Sequence, residues 1–333
     1  MSNPLLAMSL LALSVSSAES PQIWLEEGLD FLEKQTQENQ TQAQETILDS
    51  LERGEGIQPD REELPWFAVS RLVRFSGGDG EETLPRPVSG AQFYQQRMMA
   101  LKRGKLYTRL PRNSFYEQWK EAREQPSYEQ WKRLLKYEAL AIARGQGQNQ
   151  LNLFVGDSLS AWFPSQAFPK GSFWLNQSIS GENTQQLRQR LHLFAETRPQ
   201  TIYVMVGIND LRQGVRDETI VQNYLAIAQQ LKQQHPQAKI VLQSLLPTRQ
   251  PTLNRRINRL NHALSKIAER ENLLYLNLHA FFVDDEGQLK SSLTTDGIHL
   301  TPEGYEVWQQ ALEQIQSWLG VQYQTFQGQE TQI

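Results

Sequence analysis

In the second half of the chain short apolar runs alternate with longer amphipathic ones. The apolar runs are LNLFVG (151–156), FWLNQS (173–178), TIYVMVG (201–207), KIVLQSLL (239–246) and LLYLNLH (273–279). Each is rich in leucine, β-branched or aromatic residues, as befits strands covered on both faces. Between them lie helix-like stretches over roughly 182–197, 217–235 and 253–271, with a last one from about 302 to 318. Thr301 stands where an N-cap is needed for that last helix, and Pro302 occupies its first turn. Five strands alternating with helices predict an α/β fold, a parallel sheet held between helical layers, over residues 148–320.

The first half lacks this alternation. Pro4 to Ala18 is apolar and small, too short for a bilayer core that needs roughly 20 apolar residues. It resembles the core of a signal peptide, with Ser16 and Ala18 at the −3 and −1 positions of a cleavage point, although the preceding MSN carries no basic residue. That reading favours a periplasmic or secreted location over a cytoplasmic one. The other reading of residues 1–18 is an apolar helix packed on the protein's own body. Residues 19–147 are expected to be mainly helical: Glu- and Gln-rich surface helices from Pro21 to about Ser50, a break at RGEGIQPD (53–60), a buried run at LPWFAVSRLVRF (64–75) and a loop over 76–90. YEQWK occurs at 116–120 and again at 128–132, and its Trp119 and Trp131 fit helix-packing anchors better than a ligand platform. The Gly- and Gln-rich stretch 143–150 marks the expected domain boundary, and the polar residues 321–333 read as a flexible tail.

Charge and composition narrow the function. The net charge is −4, so there is no basic field for nucleic acid, which is not expected as a partner. The chain has no cysteine, which removes disulfides, thiolate nucleophiles and cysteine metal sites. With only five histidines, few residues can serve as a base.

In a parallel sheet the working groups collect where strands end. The first strand ends in GDSLS (156–160), where Ser158 is either a nucleophile or a helix cap. The second ends in NQSISGENT (176–184), where Gly181 offers either a close backbone N–H or an ordinary turn. The third ends in GIND (207–210), where Asn209 is a neutral amide donor or a turn residue. TTDGIHL (294–300) sets Asp296 three positions ahead of His299, so that the carboxylate can hold one imidazole nitrogen as N–H while the other accepts a proton. Together these loops supply a nucleophile, a base, its orienting acid and oxyanion donors, the parts needed to attack a carbonyl. His192, His235 and His262 fall in or beside helices, and His279 alone among the others ends a strand. Asp157 and Asp210 are read as braces for their turns. Trp162, Phe163, Phe168 and Trp174 fit the core better than an acyl pocket.

These motifs, in this order, resemble the GDSL hydrolases, or SGNH superfamily. GDSLS, SISGENT, GIND and DGIHL match the family's blocks one, two, three and five, over about residues 150–318, with stretches similar to the bacterial thioesterase/lysophospholipase branch. The resemblance implies a three-layer α/β/α, flavodoxin-like domain. It implies that Ser158 is the nucleophile, His299 the base and Asp296 its orienting acid. The oxyanion hole is then the N–H of Ser158, the N–H of Gly181 and the side chain of Asn209. The expected activity is that of a serine esterase with no cofactor and no metal, acting on a small-molecule, lipid or carbohydrate ester (acyl ester, lysophospholipid, thioester or acetylated carbohydrate). The alternatives are an O-acyltransferase working on envelope polysaccharide and a non-catalytic binding module. The helical front region is a candidate contact for a protein or envelope partner.

Overall fold

The computed structural model describes residues 84–330, with side chains through 320. The expectations for the signal peptide, the surface helices and the buried run at 64–75 lie outside the described residues.

Five parallel strands form one sheet: β1 Leu151–Gly156, β2 Phe173–Asn176, β3 Thr201–Met205, β4 Lys239–Gln243 and β5 Leu274–Leu276. Their order is β2-β1-β3-β4-β5. Every residue of β1 and β3 is buried, as their unbroken apolar runs predict. Around them the helices are α1 Gly90–Lys102, α2 Tyr116–Trp119, α3 Tyr128–Gly145, α4 Ser158–Ala161, α5 Thr184–Arg190, α6 Ile208–Arg212, α7 Asp217–Gln234, α8 Pro251–Arg270, α9 His279–Phe282 and α10 Pro302–Glu330. This is the expected α/β architecture. None of the described helices is long and apolar enough to cross a membrane.

An aromatic cluster forms much of the core. Phe154 on β1 lies 5.2 Å from Phe163, 5.5 Å from Phe168 and 5.3 Å from Trp308 of α10. Trp174 stacks on Phe168 at 4.8 Å. The Trp308 indole N–H donates to Gln243 Oε1 at 2.9 Å, so its one polar atom is satisfied in the interior. Phe163, Phe168 and Trp174 are therefore core residues, whereas half-buried Trp162 stacks on Phe93 of α1 at 5.2 Å.

The boundary expected at 143–150 needs correction. The compact unit that contains the sheet takes in all of residues 84–147. Gln146, in the middle of the apparent joint, is buried; its amide donates to Arg198 O at 2.7 Å and accepts from Arg198 N at 3.2 Å. A Gln-rich stretch looks like a linker by composition, but an amide side chain can satisfy a donor and an acceptor together and so pin a turn. The helices before it cover β2, which pairs with β1 alone. Thr108 Oγ1 donates to Trp174 O at 2.5 Å, and the buried Arg97 donates to Asn176 O at 2.8 Å while paired with Glu138 at 2.5 Å. An edge strand is thereby covered rather than left open.

The two YEQWK copies both start helices and both anchor by their tryptophans. Trp119 is buried and donates to Ser114 O at 2.9 Å. Trp131 meets Tyr94 edge-on at 5.1 Å, and α3 opens with a capping box between Ser127 and Gln130. At the other end, Thr301 caps α10 by accepting from Gly304 N at 3.2 Å. That helix does not stop near 318 but continues to Glu330, so the backbone of the expected tail is helical through that residue. Polar Gln-rich sequence without proline is no barrier to a helix, since glutamine is a good helix former.

Candidate active site

The strand order reverses direction between β1 and β3, and a crevice opens at the carboxyl ends of the strands on either side of such a point. GDSLS and GIND leave the sheet there. Gly156 ends β1 so close to β3 that a Cβ would stand 2.1 Å from Met205 O; no other residue fits. Asp157 then caps α4, accepting from Leu159 N at 3.1 Å. The alternative in which Ser158 is the cap is thereby corrected: Ser158 is the first helical residue, and its side chain is left for other work. Burial pushes the Asp157 carboxyl up to about 7, against the opposing pull of the N–H groups of Leu159 and Gly207.

TTDGIHL folds as a tight turn. Thr295 N donates to His299 O at 2.9 Å, and Gly297 N to Thr294 Oγ1 at 2.9 Å. Asp296 Oδ1 accepts from the backbone N–H of Ile298 at 3.0 Å and of His299 at 2.8 Å. Its other oxygen lies 2.7 Å from His299 Nδ1. The far ring nitrogen, Nε2, is 3.2 Å from Ser158 Oγ. With Nδ1 donating to the carboxylate, Nε2 is the nitrogen free to accept a proton. The small burial of Asp296 works to raise its pKa; the hydrogen bonds from the His299 ring and from two backbone N–H groups outweigh this and hold the carboxyl at about 2.

After β2, Gly181 is exposed while the Glu182 that follows it is buried. Gly181 has φ of +83°, a backbone conformation that disfavours a side chain. Among the described residues, neither its N–H nor that of Ser158 has a hydrogen-bond acceptor. Asn209, in the first turn of α6, donates one amide hydrogen to Glu182 O at 2.9 Å, which leaves the second for another acceptor. Asp210 accepts from Thr184 N at 2.8 Å and Thr184 Oγ1 at 2.6 Å. It therefore ties the loops after β2 and β3 together, besides accepting from its own backbone N–H in its own turn. Glu182 and Arg190 are fully buried and paired, with Arg190 Nε 2.5 Å from Glu182 Oε1. Sequence reasoning missed this pair because seven residues separate Glu182, just before α5, from Arg190 at its end.

Ser158, His299 and Asp296 thus form a continuous hydrogen-bonded chain, and Asn209 is tied to Glu182, the residue after Gly181. The remaining histidines stand outside that chain. His235 is stacked on Phe194 at 6.0 Å, and burial lowers it to about 4. His279 starts α9 and receives its own backbone tie, donating to Ser244 Oγ at 2.7 Å. Among the described residues, no three His, Asp or Glu side chains converge as metal ligands.

A hydroxyl, an imidazole and a carboxylate hydrogen-bonded in line are the arrangement that serine hydrolases use. The family model of the GDSL-like Lipase/Acylhydrolase family matches residues 142–307. The chain is 30% identical over 169 residues to platelet-activating factor acetylhydrolase IB subunit alpha1 of Bos taurus, an alignment covering 46% of this chain and 69% of that one. It is 30% identical over 162 residues to subunit alpha2 of Rattus norvegicus, covering 46% and 70%. A solved structure from Streptococcus pneumonia, described as a platelet activating factor, superposes with a TM-score of 0.51 at 24% identity, covering 56% of this chain and 93% of that one. The chain belongs to the GDSL-like lipase/acylhydrolase family and is a hydrolase acting on esters.

Proposed function

We propose that the protein hydrolyses short-chain carboxylic esters through an acyl-Ser158 intermediate. The observation that carries this is the chain from Ser158 Oγ to His299 Nε2 at 3.2 Å and from His299 Nδ1 to Asp296 at 2.7 Å. His299 takes the Ser158 proton as Oγ attacks the ester carbonyl, then gives it to the departing alcohol oxygen as the C–O bond breaks. Water repeats the sequence on the acyl-enzyme: its proton goes to His299 and returns to Ser158 Oγ, and the carboxylic acid leaves. The N–H groups of Ser158 and Gly181 and the Asn209 amide hold the oxyanion in both halves. Two facts favour a short acyl group. Relatives sharing 30% identity are acetylhydrolases by name, and the aromatics following the nucleophile are engaged with one another in the core.

The side chains of His299 and Asp296 are 41% and 55% exposed, which leaves room for a bulky acyl acceptor in place of water. Transfer to a polysaccharide hydroxyl is the second reading. A panel of p-nitrophenyl esters from acetate to palmitate, run with and without a sugar acceptor, separates these. Acetate is expected to turn over fastest, and Ser158→Ala to lower kcat by roughly 10⁶. Full turnover by Ser158→Ala, or a preference for palmitate, would count against the proposal.

A further inference from the structure

The loop carrying Gly181 is held from behind by residues that precede the family-matched region. Asn176 O accepts from Arg97 of α1 at 2.8 Å. Gln177 Nε2 donates to Leu135 O of α3 at 3.1 Å. Tyr128, the first residue of α3, donates its phenol to Glu182 Oε1 at 2.9 Å. Glu182 is the residue after Gly181, its carboxylate is fixed by Arg190, and its carbonyl orients Asn209. One side chain from the front segment therefore touches the residue that links two of the three oxyanion donors. Residue 128 lies outside 142–307, so this contact is an addition to the family-matched domain.

We propose that the helical segment 84–145 is a positioning element for the oxyanion loop, and that Tyr128 is the positioning residue through which it acts. The proposal rests on the assignment of Gly181 and Asn209 as oxyanion donors. Hydrogen bonds to a charged, buried acceptor hold geometry more firmly than neutral ones. A donor displaced from the developing oxyanion loses much of its effect on the transition state while binding of the ground-state ester hardly changes. Burial, then the charge of Glu182, raises the Tyr128 pKa, which keeps the phenol protonated and donating.

The test uses the full chain and p-nitrophenyl acetate. Tyr128→Phe removes only the hydroxyl of a half-exposed side chain. It is expected to lower kcat roughly 3- to 30-fold, less than the 10²–10³ expected for losing a donor outright, with KM and the urea midpoint unmoved. Combined with Asn209→Ala, its effect is expected to shrink, because both act on one donor set. Unchanged kcat in Tyr128→Phe overturns the proposal. A fall in kcat that comes with a lower midpoint and adds fully to that of Asn209→Ala also overturns it, since that is the signature of a structural role. Ser158→Ala with full activity brings down the underlying reading instead, and Asn209→Ala with full kcat removes the oxyanion assignment alone.

Discussion

Asp296 and His299 sit on an exposed turn, whereas Asn209 and Glu182, the residue that follows the exposed Gly181, are anchored in the protein's interior. The exposed turn is held almost wholly by bonds within 294–300, most of them between backbone and short side chains. The inner wall is held by long-range contacts: Glu182 to Arg190, Asp210 to Thr184, Tyr128 to Glu182. Local hydrogen bonding suffices where a side chain need only be aimed, as an imidazole is by a carboxylate. Donors that must stand ready for a charge not yet present need a frame that does not relax, and the interior supplies it. It follows that substitutions on the outer wall should affect turnover and spare stability, while those that break a buried charge pair of the inner wall should affect both.

The largest expected effect falls on the outer wall. Asp296→Asn keeps the size of the side chain but no longer holds Nδ1 as the donor, and the loss of such an orienting carboxylate lowers kcat by about 10⁴ in a comparable triad. The side chain is more than half exposed, so the thermal midpoint should stay within a degree or two, as for an ordinary surface change. Turnover on p-nitrophenyl acetate alongside a melting curve checks both halves. A large drop in the midpoint would erase the distinction between the walls.

Glu182→Ala probes the inner wall. It leaves the Arg190 guanidinium buried without its partner, a change that typically costs about 3–5 kcal/mol. It also loosens the loop whose carbonyl orients Asn209. Urea denaturation should show the destabilisation, and kcat measured well below the midpoint should fall as well. Loss of stability with untouched kcat would mean that the buried pair supports the fold and not the donors.

The two walls were unequally legible in the sequence. The outer wall lies within seven consecutive residues, so Asp296 and His299 could be paired by inspection, and the strand-end positions of Ser158, Gly181 and Asn209 followed from the alternation of apolar and amphipathic runs. The strands themselves were read from their apolar cores but overextended at their carboxyl ends; β4 stops at Gln243, not 246. The apolar residues beyond it, Leu245 and Leu246, are buried in the loop, and burial alone does not distinguish strand from loop. The inner wall was hidden because its bonds join residues far apart in the chain, as Arg97 joins Asn176 and Tyr128 joins Glu182. No periodicity reports such a contact. The same blindness made 143–150 look like a boundary, since the Gln146–Arg198 bonds that close it span 52 positions.

Two carboxylates in or next to the hydrogen-bonded chain have strongly shifted pKa values of opposite sign: Asp296 on the outer wall and Asp157, the cap of α4. Asp296 is held at about 2, below its ordinary 3.8. The stability it adds, small because the side chain is more than half exposed, is complete above 3.8 and is lost only as the pH falls through about 2. Asp157 is pushed up from 3.8 to about 7 by burial. Between those values the native state binds the proton and the unfolded chain does not, so stability falls as pH rises across that window, on the order of 1 kcal/mol per pH unit, and levels off above it. Asp157→Asn keeps an oxygen to accept from Leu159 N and has no charge to bury. Urea midpoints at pH 5 and pH 7 should therefore differ less in this variant than in the unmodified protein. Asp296→Asn should leave that difference as it was, because its carboxylate is ionised in both the folded and the unfolded chain over the same range. If Asp157→Asn leaves the pH slope unchanged, the buried carboxyl is not the group that titrates there, and the contrast between it and the exposed Asp296 fails.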